Sequence, residues 1–115
     1  MEEVWKSVVG YEGYYEVSNL GRVRRVTNKN NLLVPNTLPY GYLQVCLSVN
    51  AVRKQHRIHR LVAEAFLPNP NNLPIVNHKD WNPSNNRVDN LEWCDVKYNN
   101  SYRRVSLSKI QGGTT

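Results

Sequence analysis

Apolar residues at Ile58, Leu61, Val62, Ala65 and Phe66 fall at i, i+3, i+4, i+7 and i+8. That spacing lines one face of a helix and predicts one over residues 58–66, with His59 on its polar side. Leu67-Pro68-Asn69-Pro70 ends it, because proline removes an amide donor and biases the residue before it toward extended backbone. Upstream the period changes to two. Leu43, Val45, Leu47 and Val49 alternate with polar or small residues, which predicts a strand over 42–49 that turns at Asn50-Ala51 and returns through Arg53 to Ile58. Tyr14-Tyr15-Glu16-Val17 is rich in strand formers. Ser18-Asn19-Leu20-Gly21 reads as a turn that leads into Arg22-Val23-Arg24-Arg25-Val26, with Val23 inward. Asn28 to Asn31 and Pro35 to Pro39 read as loops.

Downstream of the helix the order is strand, loop, strand, helix. Pro74 to His78 is the first strand, Trp81 to Asp89 an asparagine-rich loop, and Leu91-Glu92-Trp93-Cys94 the second strand. Asp95 suits the N-cap of a helix running to about Arg104, which carries Asn99. Ten of the sixteen asparagines lie between Asn69 and Asn100, so most are read as turn builders, since asparagine tolerates left-handed backbone and bonds its own main chain.

At 115 residues and 40% hydrophobic content the chain suits one domain, or two small lobes on a shared core. It has no apolar run near the ~20 residues that span a membrane. Its start, Met1-Glu2-Glu3-Val4-Trp5, lacks the pattern of a secretory signal, so a cytoplasmic location is expected. The two cysteines, Cys46 and Cys94, are widely separated, which argues against structural zinc and for buried free thiols.

Charge changes the picture. The net charge is +6, and no acidic residue lies between Glu16 and Glu64. That interval holds Arg22, Arg24, Arg25, Lys29, Arg53, Lys54, Arg57 and Arg60, while the rest of the chain has seven basic and nine acidic residues. A positive excess gathered in one half points to a polyanion, most often nucleic acid.

Against that background the histidine at the end of the apolar run Pro74-Ile75-Val76 gains a possible task. Phosphodiester hydrolysis needs an activated water, and histidine is suited to it because its unperturbed pKa is about 6.5. A hard divalent cation can polarise the phosphate, and it takes oxygen ligands and few protein groups. The order His78, Asn90, Asn99 offers a base and oxygen donors on a hairpin and a helix. Taken singly, each of the three is more often a structural, turn or solvated residue.

Val76-Asn77-His78-Lys79-Asp80-Trp81-Asn82, followed by Asn85-Asn86-Arg87-Val88-Asp89-Asn90-Leu91-Glu92-Trp93, resembles the HNH nucleases of the phage and homing-endonuclease type. Ile58-His59-Arg60-Leu61-Val62-Ala63-Glu64-Ala65-Phe66 is similar to the helix that commonly precedes their active site. Trp5-Lys6 and Gly10 through Arg24 are similar to the small DNA-binding module fused to such nucleases. The resemblance implies an α+β chain, with a β-rich DNA-binding module over 1–50, a ββα-metal nuclease fold over 51–105 and a flexible tail over 106–115. It implies that His78 activates water and that Asn90 orients the first loop by bonding its backbone. It implies Asn77 and Asn99 as ligands of Mg²⁺ (or Mn²⁺). Many relatives have Asp where Asn77 stands; Asn77 supplies an oxygen without a charge, so weaker metal affinity is expected, with Asp80 as an auxiliary. Trp81 stands where a glycine is common, which would alter the loop or add a stacking surface near DNA.

The expected substrate is double-stranded DNA, cut to a 5′-phosphate and a 3′-hydroxyl. Arg22, Arg24, Arg25, Arg53, Lys54, Arg57 and Arg60 are the candidate phosphate contacts, and His59 a phosphate contact or structural residue. His56 reads as a basic-strand residue only, and Trp5, Tyr11, Tyr14 and Tyr15 as packing of a small β module rather than base stacking. Larger homing relatives carry a further helical DNA-binding region absent before Thr115, so lower specificity or a partner is expected. A monomer or weak homodimer is expected, with nicking as the simpler outcome. Two alternatives stay open: a DNA-binding protein with weak or no catalysis, and an RNA-directed module.

Overall fold

The computed structural model describes residues 1–95. Strands β1 (Trp5–Ser7), β2 (Tyr15–Ser18), β3 (Val23–Arg25) and β4 (Asn28–Leu32) form an antiparallel sheet in that order. A second sheet joins β5 (Asn36–Thr37), β6 (Leu43–Val49) and β7 (Val52–Arg57). Helix α1 (Ile58–Phe66) leaves β7 without a break. The hairpin of β8 (Ile75–His78) and β9 (Leu91–Cys94) follows, with His78 opposite Leu91 and Asn77 opposite Glu92. The predicted helix beyond Asp95, and Asn99 with it, lies outside the described residues.

The helix and β6 form where the apolar periods place them, and for the same reason, while β7 follows as the return strand of the hairpin, paired to β6. Val45 and Leu47 turn one face of β6 inward, while Ile58, Leu61 and Val62 turn α1 onto it. Val17, Val23, Val76 and Leu91 complete one continuous core, and α1 touches strands of all three sheets. Burying a side chain of this size contributes about 1.5–3 kcal/mol. The end of α1 is held by its neighbours: Leu67 N–H donates to the Ala63 carbonyl at 2.9 Å, and Trp93 Nε1 donates to the Leu67 carbonyl at 3.1 Å.

The structure departs from the sequence reading in the first half. Asn28 to Asn31, expected as loop, belongs to β4, an edge strand whose residues are almost all exposed. With no inward face it shows no alternation, and backbone pairing to β3 across a register shift at Arg24/Arg25 holds it. Asn36–Thr37 is likewise a short strand rather than loop. The turn at Asn50-Ala51 joins β6 to β7 as the alternation predicted, and β7 pairs with β6 along its whole length. Cys94 is buried and Cys46 only half-buried, and both are free thiols. No helix among the described residues is long and apolar enough to cross a membrane.

Tyr15 links the first sheet to the second. It is buried, and its hydroxyl donates to the Ser48 carbonyl at 3.2 Å and accepts from Ser48 N–H at 3.0 Å. Beside it Tyr11 packs edge-on to Tyr15 and shares a 2.9 Å hydrogen bond with His56 Nε2, so His56 ties the two sheets as well. Tyr15→Phe keeps the ring but strands both main-chain groups of Ser48. The expected cost is about 1–3 kcal/mol in urea unfolding, and an unchanged midpoint would show that the hydroxyl holds nothing.

Candidate active site

The loop between β8 and β9 is built from polar side chains closing on one carboxylate. Asp80 Oδ1 accepts from Asn82 N–H at 2.8 Å and from Asn90 Nδ2 at 2.9 Å, and its Oδ2 accepts from Asn85 Nδ2 at 2.8 Å. The bond from Asn85, then that from Asn82, holds the Asp80 carboxyl below its usual range. Asn90 is buried, and its Oδ1 accepts from Asp80 N–H at 3.1 Å while Nδ2 also donates to the Asn85 carbonyl at 2.9 Å. Lys79 N–H donates to the Asn90 carbonyl at 2.7 Å, so both strand ends are tied through this residue. Three hydrogen bonds thus tie the Asp80 carboxylate to the loop.

His78 ends β8 and is buried. Its Nε2 lies 2.8 Å from Asn86 Oδ1. An amide oxygen only accepts, so Nε2 carries the proton and Nδ1 keeps a lone pair. Burial lowers the His78 pKa, opposed by the bond to Asn86 and the charge of Asp80, so the ring is neutral at neutral pH. Asn86 was not singled out in the sequence, where it looked like one more turn residue. It is backed by the N-terminal sheet: a Cβ on Gly21 would stand 3.0 Å from Asn86 Cβ, at a φ of +88°. Val88 N–H also donates to the Asn19 carbonyl at 2.9 Å, fastening the Ser18–Gly21 turn to this loop.

His59 is not on a solvated face, as its helical position suggested. It is buried, because the β8–β9 hairpin covers a second side of α1. Its ring lies 4.9 Å from that of His78 and 5.6 Å from that of Tyr42, and its Nδ1 is buried without a hydrogen-bond partner. Burial, then the charges of His78, Arg57 and Arg60, push its pKa down to about 3.

The two histidines, Tyr42, Asn77, Arg57 and Arg60 line a groove of about 740 Å³. Arg57 stacks on Tyr42 at 4.9 Å; Arg60 stacks on Trp93 at 5.3 Å and donates to the Pro74 carbonyl at 2.8 Å. Asn77 is buried, and its Nδ2 donates to Glu92 Oε1 at 3.1 Å, which leaves Oδ1 as the acceptor of the amide. Glu92 went unremarked in the sequence, yet it sets a negative charge beside the neutral Asn77. Hard oxygen donors with an adjacent carboxylate fit Mg²⁺, which keeps several waters and needs few protein groups. Among the described residues no three His, Cys, Asp or Glu side chains converge on a common metal position.

The basic residues separate into two groups. Arg22 pairs with Glu3, and Arg24 pairs with Glu16 at 2.9 Å and stacks on Trp5 at 3.9 Å. Arg25 lies 5.3 Å over Tyr15. Arg53, Lys54 and Arg57 on β7 are exposed.

Residues 3–48 match the NUMOD4 motif, and residues 56–101 match the HNH endonuclease family. The uncharacterized HNH endonuclease L245 of Acanthamoeba polyphaga mimivirus is 46% identical over 96 residues, which is 84% of this chain and 29% of that protein. DNA endonuclease I-HmuI of Bacillus phage SP01 is 38% identical over 112 residues, 93% of this chain and 63% of that enzyme. The chain thus spans less than two thirds of the length of either relative. The structure that describes DNA binding and cleavage by the HNH homing endonuclease I-HmuI aligns at a TM-score of 0.79 and 34% identity, over 100% of this chain and 62% of that one. Like the expected α+β chain, the fold is strand-rich, with N-terminal strands followed by a helix and further strands.

His59 makes stability depend on pH in a defined direction. Its folded pKa is depressed from 6.5 to about 3, so the unfolded chain binds the extra proton. The contribution is complete above pH 6.5 and is lost as pH falls below it, at about 1.4 kcal/mol per unit. His59→Gln should flatten the dependence between pH 6.5 and 5, with His78 and His56, also lowered by burial, supplying the remainder. Urea unfolding at several pH values reads the slope, and equal slopes in the two proteins would contradict a neutral buried His59.

Proposed function

We propose that this chain, which joins a NUMOD4 motif to an HNH endonuclease domain and is homologous to HNH endonucleases, hydrolyses phosphodiester bonds of double-stranded DNA. The observation that carries the reading is His78, whose Nε2 is committed to Asn86 and whose ring lines a groove that also holds Arg57 and Arg60. With Nε2 protonated, Nδ1 takes the proton of a water as that water attacks phosphorus. The bond to the 3′ oxygen breaks, leaving a 5′-phosphate and a 3′-hydroxyl. Asn86 keeps the tautomer and aim of His78 constant, and Asn90 keeps the loop that carries Asn86 closed. Arg57 and Arg60 draw the phosphate into the groove, while exposed Arg53 and Lys54 on β7, with Arg25, neutralise neighbouring phosphates. Arg22 and Arg24, which pair with Glu3 and Glu16, have a smaller share in this neutralisation.

Asn77 Oδ1, with Asn99 beyond the described residues, would hold Mg²⁺ or Mn²⁺. When bound, the cation supplies polarisation of the phosphate and stabilisation of the leaving 3′ oxygen. The hydrogen bond to Glu92 leaves Oδ1 as the atom of the Asn77 amide that would be available to it. One chain brings one His78, so one strand is nicked per encounter, and cutting both needs two events or two copies.

Nicking of supercoiled plasmid with Mg²⁺ or Mn²⁺ tests the reading. His78→Ala should lose roughly 10²–10⁴ of the rate, and chelation should abolish it. Asn77→Asp should lower the metal concentration needed for half-maximal nicking. Equal rates in wild type and His78→Ala would remove His78 as the base. Tight binding to duplex DNA with no cleavage in either metal would make the chain a DNA-binding protein instead.

A further inference from the structure

Among the described residues, five that are not glycine hold a positive φ. Asn50 and Ala51 form the two-residue turn between β6 and β7, where hairpin geometry asks for that sign. Asn72 is a residue type that tolerates it. The other two are Tyr40, at 72°, and Trp81, at 66°. A bulky side chain is disfavoured in this region, and strain of this kind persists where surrounding structure enforces it, often at ligand sites.

Both aromatics border the groove that holds His78. Tyr40 is 91% exposed, so burial does not account for its conformation. The turn that carries it is clasped to the loop that carries Trp81. Ser84 Oγ donates to the Gly41 carbonyl at 2.6 Å, and Pro83 Cγ stands 3.1 Å from where a Gly41 Cβ would be. Two aromatic side chains therefore share one joined edge of a groove that Arg57 and Arg60 also line. A phosphodiester drawn in by those cations brings its flanking nucleotides to the rim. Bases offer flat π faces, and aromatic side chains bind them by stacking whatever their sequence.

We propose that Tyr40 and Trp81 form an aromatic rim that stacks on the bases flanking the phosphate held at His78, and so positions that phosphate for attack. The proposal rests on the nuclease reading above. It assigns recognition to side chains that carry no charge, which separates it from phosphate contacts. Loss of a phosphate contact lowers the salt slope of binding by about one, whereas loss of a stacking contact lowers affinity at constant slope.

The test uses the full chain, a mixed-sequence linear duplex in EDTA so that the DNA stays intact, and anisotropy over a salt series. Tyr40→Gly and Trp81→Gly suit their positive φ and relieve strain. Each should bind roughly tenfold more weakly at unchanged salt slope, with the melting temperature of Tyr40→Gly equal to or above wild type. Tyr40→Phe and Trp81→Phe should restore binding. Arg57→Ala should reduce the slope instead. DNA should quench tryptophan emission less in Trp81→Phe than in wild type. Wild-type affinity in Tyr40→Gly, whose side chain is too exposed to act through the fold, overturns the rim while the nuclease reading stands. Wild-type protein that does not bind the duplex overturns both.

Discussion

The loop between β8 and β9 has no apolar core of its own, and the exchange between Asp80 and Asn90 holds it. Asn90 spends both ends of its amide there, accepting from Asp80 N–H and donating to the Asp80 carboxylate and the Asn85 carbonyl. A net contribution of about 0.5–1.5 kcal/mol per bond, more where a carboxylate accepts, is enough to close a loop of this size. The next residue along is Asn86, so the position of the one oxygen that fixes His78 follows from this closure. A strand end alone would place the ring without deciding which nitrogen bears the proton.

The electrostatics of the groove follow from burial as much as from charge. His59 and His78 are neutral at neutral pH: burial outweighs what Asn86 and Asp80 return to His78, and at His59 the neighbouring positive charges add to the effect of burial. The positive charge lining the groove is then that of Arg57 and Arg60. The arginines of the basic half are not equivalent in space. Glu3 and Glu16 fold back onto Arg22 and Arg24, so the cations left outward concentrate on β7, next to the groove.

Local periodicity carried the reading of α1 and β6, because each has one face against the core and its apolar residues record that face, while β7, nearly all exposed, was legible only as the return of the β6 hairpin. It failed for β4, which has no buried face and is made by pairing alone. It misplaced His59 for the opposite reason, as α1 is covered on more than one side and a polar residue on the second covered side looks solvated in a helical projection. Asn86 and Glu92 were invisible for a third reason. Their roles depend on loop closure and on strand register, Asn77 opposite Glu92, and neither is encoded within a short window. The order His78, Asn90, Asn99 was legible only as a pattern, and the carboxylate beside Asn77 emerged once the strands were paired.

Gly21 has a wider consequence. Its bare Cα lets the Ser18–Gly21 turn rest against Asn86, and Asn19 accepts a hydrogen bond from Val88 in the same loop. The N-terminal sheet is therefore a wall of the β8–β9 loop and not a tethered accessory. Recombination that exchanges this module for another would inherit a steric condition: whatever replaces it must present an equally flat turn at the same place. Modularity in such a chain is limited by a contact narrower than a methyl group.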